Sequence, residues 1–313
     1  MPSSTILRLT DPYEYQTAVG HRADQRSIIT AAGSYRSELT LVNLHRLGVQ
    51  HGRVSLPRIV RGVINENLCS IAFSLAARVT VNGTQVPESY IIFGCPGAET
   101  VMSASADDAW GGLTLSPETL VAASQALIGY EITLPKAAQL VCTPPPLMAR
   151  LHNLHKAATQ LAATAPDILA HPEVARAIEQ ELLRVLIACL TDSTIKRTNP
   201  NRQRVMHRFH QMVEANQDES LYIAEICAAI GVPERTLHHA CKDYLRMSPH
   251  RYLRLRRMNL VRRALALADP EEKSVTGIAN DYGFPELGRF AVEYRAMYGE
   301  SPSATLRRTP HAS

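Results

Sequence analysis

Long apolar runs are absent from this chain of 313 residues. No segment approaches the ~18–20 residues that a membrane-spanning helix needs, so no membrane partner is expected. Met1-Pro-Ser-Ser-Thr5 has no basic stretch followed by an apolar run, and so gives no sign of a secretory leader. Cysteine is sparse: six, at positions 69, 95, 142, 189, 227 and 241, without a CxxC pair. That dispersal fits buried thiols in a reducing cytoplasm, the expected location. No His-x-His pair occurs, and His45 and His51 stand apart. The i, i+3 pairs His152/His155 and His207/His210 lack a third ligand in view, so neither a metal nor any other cofactor is expected. No catalytic cluster is found, and the chain does not read as an enzyme.

What the chain does have is one short structural sentence written twice. The first copy runs from Ile223 through Gly231-Val-Pro-Glu-Arg-Thr-Leu237 to Met247-Ser-Pro249. The second runs from Val275 through Gly283-Phe-Pro-Glu-Leu-Gly-Arg-Phe290 to Glu300-Ser-Pro302. Gly231 and Gly283 are 52 positions apart, and the two Ser-Pro pairs are 53 apart, which places a one-residue slip inside the second helix of the repeat. Each copy reads as a helix, a Gly-apolar-Pro break and a second helix, the helix-turn-helix plan. Gly231 and Gly283 sit where a left-handed residue closes the first helix. Val232 and Phe284 follow as plugs, and Pro233 and Pro285 break the rod and suit the next helix start. Ile223, Ile226, Ile230 and Leu237 form the inner face of the first copy, and Val275, Ile278, Tyr282 and Phe290 that of the second. A helical repeat packing only on itself is the alternative.

Residues from about 207 to 308 resemble the DNA-binding domain of the AraC/XylS transcriptional regulators. The likeness rests on Gly231-Val-Pro-Glu-Arg-Thr-Leu237, Met247-Ser-Pro-His-Arg-Tyr-Leu253, Ile278-Ala279, Gly283-Phe284 and Tyr298-Gly-Glu-Ser-Pro302. It implies two helix-turn-helix units, about 223–245 and 275–298, joined by a long helix. It departs at Arg246, where the family usually carries Gly, and at Pro233 and Pro285, where Ser is more usual. The family also implies that RNA polymerase is recruited and transcription activated.

Charge agrees with a DNA partner. Residues 201–313 hold 17 Lys and Arg against 13 Asp and Glu, a net of +4, while residues 1–200 hold 16 against 16. The excess therefore lies where phosphates would be neutralised. Arg251, Arg254, Arg256, Arg257, Arg262 and Arg263 crowd the stretch after Pro249, beside an apolar stripe of Tyr252, Leu255, Met258 and Leu265. Arg251 and Arg254 are the expected phosphate contacts; a solvated face is the alternative for any one of the six. In a helix-turn-helix the start of the second helix enters the major groove. The base-facing set expected in the first copy is Arg235, Thr236, His238, His239 and Lys242, with Lys242 nearer phosphate. In the second copy it is Leu287, Gly288, Arg289, Val292 and Arg295, a poorer set of donors. His238 and His239 read equally as ordinary surface histidines.

Residues 1–135 change texture, with short alternating runs between Glu38 and Ser116 such as Leu39-Thr-Leu-Val-Asn-Leu44, Cys69-Ser-Ile-Ala-Phe-Ser-Leu75 and Tyr90-Ile-Ile-Phe93. Val81-Asn-Gly-Thr84 is a hairpin signal. Many short strands at close spacing predict a small β-barrel or jelly roll, and the family resemblance implies a cupin-like sensor of a small-molecule effector. Arg53, Arg58 and Arg61 are candidates for holding an anionic effector; exposed strand arginines are the alternative. Ser116-Pro-Glu118 starts a helix that ends near Gly129. Pro144-Pro-Pro146 precedes two helices, about 147–164 and 172–191. In the second, Val174, Ile178, Leu182, Val185, Leu186, Cys189 and Leu190 form a stripe that either pairs subunits into a homodimer or packs on its own barrel.

These features predict an α+β chain: a β-rich effector-sensing domain over 1–135, a helical segment over 136–192, a linker over 193–206 and an all-α DNA-binding domain over 207–308. The function expected is a sequence-specific transcriptional activator that binds double-stranded DNA under control of a small molecule. An architectural DNA-binding protein of little sequence preference and an enzyme with an appended DNA-binding domain are the alternatives.

Overall fold

The short alternating runs become two antiparallel sheets, and the repeat becomes a bundle of helices packed on one of them. The computed structural model describes residues 2–20, 23–76, 78–196, 200–216 and 221–308. The chain starts β1 (Ser3–Leu9), α1 (Pro12–Gly20), β2 (Ala23–Ile29), β3 (Ser37–Asn43), β4 (Leu47–Val54), β5 (Arg58–Ile64) and β6 (Cys69–Ala76). It continues β7 (Val79–Val81), β8 (Thr84–Val86), β9 (Tyr90–Gly94), β10 (Glu99–Ala104), β11 (Asp108–Leu115), α2 (Pro117–Ile128), β12 (Gln139–Cys142), α3 (Pro145–Thr164), α4 (Pro166–Ala170), α5 (Pro172–Thr191) and β13 (Thr194–Lys196). The C-terminal helices are α6 (Pro200–Ala215), α7 (Ile223–Ile230), α8 (Glu234–Leu245), α9 (Pro249–Leu267), α10 (Val275–Asp281), α11 (Leu287–Tyr298) and α12 (Pro302–Arg307).

One sheet has the order β1-β3-β4-β11-β6-β9-β12-β13 and the other β2-β5-β10-β7-β8. The barrel expected from strand spacing takes the form of these two facing sheets rather than a single closed one. Asn82 and Gly83, at φ 47° and 78°, make the tight β7–β8 turn. Asn82 also exchanges backbone bonds with β10: its N–H donates to the Val101 carbonyl and its side-chain oxygen accepts the Val101 N–H, both at 2.9 Å.

Three cores result. The first lies between the outer face of the larger sheet and α2, α3 and α5, with Leu47, Val49, Ile71, Phe73, Leu113, Leu182 and Leu186 buried. The α5 stripe, including Val185 and Cys189, is turned into this core, so of the two alternatives for that stripe the structure shows packing on its own sheet. Glu179 of α5 fixes the contact: its buried carboxylate accepts the backbone N–H of Arg46 at 2.6 Å and of Leu47 at 3.2 Å. The second core joins the outer face of the smaller sheet (Ile28, Ile59, Val101) to α6–α9 through Met206, Phe209, Leu237 and Tyr252. The third, with Met258, Val261, Ile278, Phe290 and Tyr294, belongs to α9–α12 alone.

Local signals place most helix ends. Ser116 caps α2, its hydroxyl accepting the Thr119 N–H at 3.1 Å, and Gly129 closes the helix at φ 82°. The stretch 193–206, expected as a linker, is largely ordered structure. Thr194–Lys196 pair with β12 as an edge strand, because Ile195 finds Val141 across the ladder, and α6 begins at Pro200. Residues 197–199 of that stretch lie outside the described residues.

Candidate nucleic-acid interface

In the first unit, α7 ends at Gly231, left-handed at φ 69°, whose N–H returns to the Cys227 carbonyl. Val232 repeats the bond to the same carbonyl at 3.1 Å. Pro233, extended at ψ 147°, directly precedes α8. Leu237, Ala240, Cys241 and Tyr244 bury one face of α8 against Ile223, Ile226 and Ile230. The opposite face leaves Arg235, Thr236, His238, His239 and Lys242 exposed, so the structure brings all five onto one solvent-facing surface. The rings of His238 and His239 stand perpendicular, 6.5 Å between centroids.

The second unit follows the same plan with one change. Gly283 is left-handed at φ 74° and Phe284 donates to the Ala279 carbonyl at 3.0 Å. Pro285 is then followed by Glu286 before α11 begins, whereas Pro233 is followed at once by α8. The extra residue of the second copy therefore lies in the turn, not inside the second helix as the spacing suggested. Gly288, Arg289, Val292 and Arg295 are exposed, Val292 at 71%. Leu287 is not: it packs against the third core and is a hydrophobic anchor rather than a base-facing group.

Arg289 is also occupied. Its Nε donates to Glu293 at 3.1 Å, and Glu286 lies 3.8 Å away. The same Glu293 carboxylate ion-pairs with Arg254 of α9, one of the two expected phosphate contacts. That hydrogen bond from Arg254 is the main reason the Glu293 carboxyl is held below the usual glutamate range. Arg251 stays exposed near the helix start, where the Ser248 hydroxyl accepts its backbone N–H at 3.3 Å. Arg246, standing where the resemblance implies Gly, adopts the left-handed conformation itself, at φ 58° and ψ 23°. A non-glycine side chain there costs about 1–2 kcal/mol.

Of the other arginines of α9, Arg256 is buried, Arg257 and Arg262 are half-buried, and Arg263 alone of the four is exposed. Arg257 lies 5.6 Å over the Phe284 ring and reaches the Gly283 carbonyl, bracing the second turn. Arg262 meets Asp11 at 2.7 Å and the Tyr298 ring at 5.1 Å, and Arg263 lies over Tyr13 at 4.7 Å. Arg256 is buried against the smaller sheet. Half of the six therefore secure the β-rich part, and the basic excess of the C-terminal third is smaller on its outer surface than the sequence suggested. Arg256 follows Tyr252 by one helical turn, so its place on the apolar face was a signal available in the sequence.

The three arginines expected to hold an anion do not converge. Arg53 is exposed on β4. Arg58 and Arg61 are an odd number of positions apart on β5 and point to opposite faces. Arg58 is 3% exposed and donates through Nη2 to Asp108 at 2.6 Å; Arg61 meets Glu99 at 2.6 Å on the other face. Between the sheets, Arg58 and Asp108 line a cavity with about 100 Å³ of free volume, together with Gln50, Ser74, Met102 and Trp110. Nη1 of Arg58 and Oδ1 of Asp108 are buried without a hydrogen-bond partner at its wall. Burial pushes the Asp108 carboxyl up, and Arg58 opposes the shift.

The histidine pairs also separate. His155 is buried and bonds the Gln50 carbonyl at 2.6 Å, while His152 lies against Phe73. His207 meets Glu99 at 2.6 Å, and His210 is buried beside Phe209 and Tyr252. Among the described residues no group of three or more His, Cys, Asp and Glu is placed to hold a metal, and all six cysteines are free thiols. Among the described residues no helix is long and apolar enough to cross a membrane.

Residues 226–308 match a family described as a helix-turn-helix domain. XylDLEGF operon transcriptional activator 2 of Pseudomonas putida is 32% identical over 129 residues, which are 41% of this chain and 80% of that protein. The "Probable thc operon regulatory protein" of Rhodococcus erythropolis is 33% identical over 150 residues, 47% of this chain and 45% of its own length. The chain thus spans less than half of that relative. Among solved structures, the AraC-like transcriptional activator CuxR superposes over 83% of this chain and 95% of its own, at 14% identity and a TM-score of 0.46.

Proposed function

The chain belongs to the AraC/XylS family of transcriptional regulators, and from this we propose that it is a sequence-specific DNA-binding activator controlled by a small molecule. The observation that carries the reading is the α8 surface: Arg235, Thr236, His238, His239 and Lys242 are exposed on a helix whose other face is buried against α7. Arg235 offers a bidentate pair to guanine, and Lys242, further along, a phosphate contact. The second unit, with Val292 exposed and Arg289 held by carboxylates, contributes apolar contacts to thymine methyls and backbone contacts, with Arg295 and Arg251 on phosphate. Sequence discrimination then rests mainly on the first unit. Residues 207–308 form the DNA-binding domain and 1–135 the sensing domain. Helices α3 and α5 brace the larger sheet. Its Pseudomonas relatives carry the name of operon transcriptional activators, which supports activation, with RNA polymerase as the partner.

The effector site is the cavity between the sheets, where Arg58 and Asp108 leave one donor and one acceptor unpaired. The route from there to the DNA-binding helices is short. Arg58 and Val60 of β5 face the cavity, while Ile59 and Arg61 of the same strand face α6 and α9. A ligand that displaces one set moves the other, and it biases the helices by no more than its differential affinity for the two arrangements.

A footprint of the full-length chain on DNA upstream of its own and neighbouring genes tests the reading. The expected result is two protected major-groove segments about one helical turn apart, roughly 34 Å, with Arg235→Ala relaxing preference at one base position. Uniform coverage, unaltered in its sequence dependence by Arg235→Ala, would favour an architectural protein.

A further inference from the structure

Arg26 and Arg61 stand directly opposite one another across the β2–β5 ladder. Like charges in that position repel. The sheet tolerates them because Glu214 of α6 reaches over, ion-pairing with Arg26 and lying 3.7 Å from Arg61. Arg256 of α9 approaches the same carboxylate, but only to 3.9 Å, beyond hydrogen-bonding range. Three guanidiniums therefore share one carboxylate. Arg61 has a further partner in Glu99 at 2.6 Å. Arg256 is served worst: it is 7% exposed, and its Nη2 has no hydrogen-bond partner.

These arginines line a cleft between the smaller sheet and α6 and α9, with about 90 Å³ of free volume. Ile28, Ile59, Tyr252 and Leu260 supply apolar walls, and Arg262 and Arg263 a second basic edge. The lining holds five arginines against two carboxylates, Asp11 and Glu214. Arg262 is satisfied by Asp11 at 2.7 Å and Arg263 by the Tyr13 ring. The unmet demand is thus concentrated at Arg256, with Arg26 and Arg61 beside it. A desolvated guanidinium with a free N–H next to two more is a donor set matched to an oxyanion, whose oxygens accept several charge-assisted bonds at once.

We propose that this cleft, separate from the cavity between the sheets, binds a small oxyanion, a carboxylate or a phosphate, through Arg256, Arg26 and Arg61. The free volume admits the charged group and a few carbon atoms, being below the ~150 Å³ that holds benzene. Because its ligands come from β2 and β5 on one side and α9 on the other, the bound anion stabilises only the arrangement in which these elements are docked.

Thermal unfolding of the full-length chain in graded sodium phosphate and sodium butyrate, with ionic strength held constant by sodium chloride, tests this. A saturable rise in Tm with one or both anions is expected, and the anion that produces it identifies the source class. Glu214→Gln removes a competing charge and lowers the half-saturating concentration about tenfold, the equivalent of one pKa unit of interaction. Arg256→Met abolishes the saturable rise. If that variant does not fold, Arg26→Gln replaces it and raises the half-saturating concentration about tenfold. A rise that does not saturate reflects general salt exclusion and overturns the proposal. So does a half-saturating concentration that Glu214→Gln and the arginine variants leave unchanged.

Discussion

Replacing Asp108 by Ala breaks an ion pair of the β-rich part that is buried on both sides. Asp108 is 1% exposed and Arg58 3%, joined by one bond of 2.6 Å. Removing the carboxylate leaves a guanidinium charge between two sheets with no counter-ion, a change that typically costs about 3–5 kcal/mol. Set against a domain stability of roughly 5–15 kcal/mol, that is a large fraction. The pair itself is not intrinsically favourable. Arg58 Nη1 and Asp108 Oδ1 are already buried without partners, each a penalty of about 1–3 kcal/mol. Arg58→Met combined with Asp108→Leu removes both penalties, so the double variant should match or exceed the parent in stability. Urea unfolding followed by tryptophan fluorescence reads this directly, because Trp110 is the chain's one tryptophan and lines the same cavity. With an m-value of about 1–3 kcal/mol/M, the single variant loses about 1 M or more in midpoint. A loss below about 1 kcal/mol in Asp108→Ala, or a double variant as unstable as the single one, would refute the reasoning. If the pair also meets the effector, the double variant folds and binds DNA but no longer responds.

Glu293→Gln frees Arg254 and Arg289, so DNA affinity should rise and the slope of log K against log salt should steepen by about 1 to 2; an unchanged slope in fluorescence anisotropy would show that the carboxylate does not restrain them. Arg246→Gly relieves the left-handed arginine and, after the extra flexibility of glycine in the unfolded chain, should stabilise by about 0.5–1 kcal/mol in thermal unfolding; a destabilised variant would contradict this. Burial holds His155 down to about 4 and His210 down to about 3. Both values lie below the unfolded value near 6.5, so the unfolded chain binds more protons between them, and stability present above about pH 6.5 is lost as pH falls. Between pH 7 and 5.5 each should contribute about 1 kcal/mol of loss, and a pH dependence unaffected by His155→Gln would count against that assignment. A 201–313 fragment loses Ile28, Ile59 and Val101 from its second core, so hydrogen exchange should be faster in α6–α8 than in α10–α12; equal protection would be evidence that the sheet contributes nothing.

The C-terminal units were legible because their signals are local. A glycine at a helix end, a proline beyond it and a Ser-Pro start each act within a few residues, and the helices 223–230, 234–245, 275–281 and 287–298 lie where those signals put them. The slip in the repeat was seen but misplaced, since spacing counts residues without saying where the turn absorbs them. Upstream of residue 38 no individual element was expected within the β-rich domain, although Asp11-Pro12 opens α1 with the Asp11 carboxylate accepting the Tyr13 N–H at 2.7 Å. The arginines were the least legible. Arg58, Arg61 and Arg262 look alike in a sequence, and their fates depend on Asp108, Glu99 and Asp11, partners brought together only by the tertiary fold.

The smaller sheet explains why charge and core could not be separated by reading residues in order. Its strands alternate between two interiors. Gln25, Arg58, Val60 and Met102 face the cavity toward the larger sheet. Arg26, Ile28, Ile59, Arg61 and Val101 face α6, α8 and α9. A sheet with water on one side shows apolar residues at every second position; this one is covered on both, and its β5 reads Arg58-Ile-Val-Arg-Gly-Val-Ile64 with no clean alternation. A register shift of one residue would exchange the two faces, sending Arg61 into the cavity and Arg58 against Tyr252. The β2–β5 and β5–β10 registers are therefore fixed by both neighbours at once. The first helix-turn-helix unit has its core completed by this sheet, while the second completes its own. The β-rich part accordingly shares a core with the first unit, the one with Arg235 and Lys242 exposed on its surface, and touches the second through Arg262, which meets both Asp11 and the Tyr298 ring.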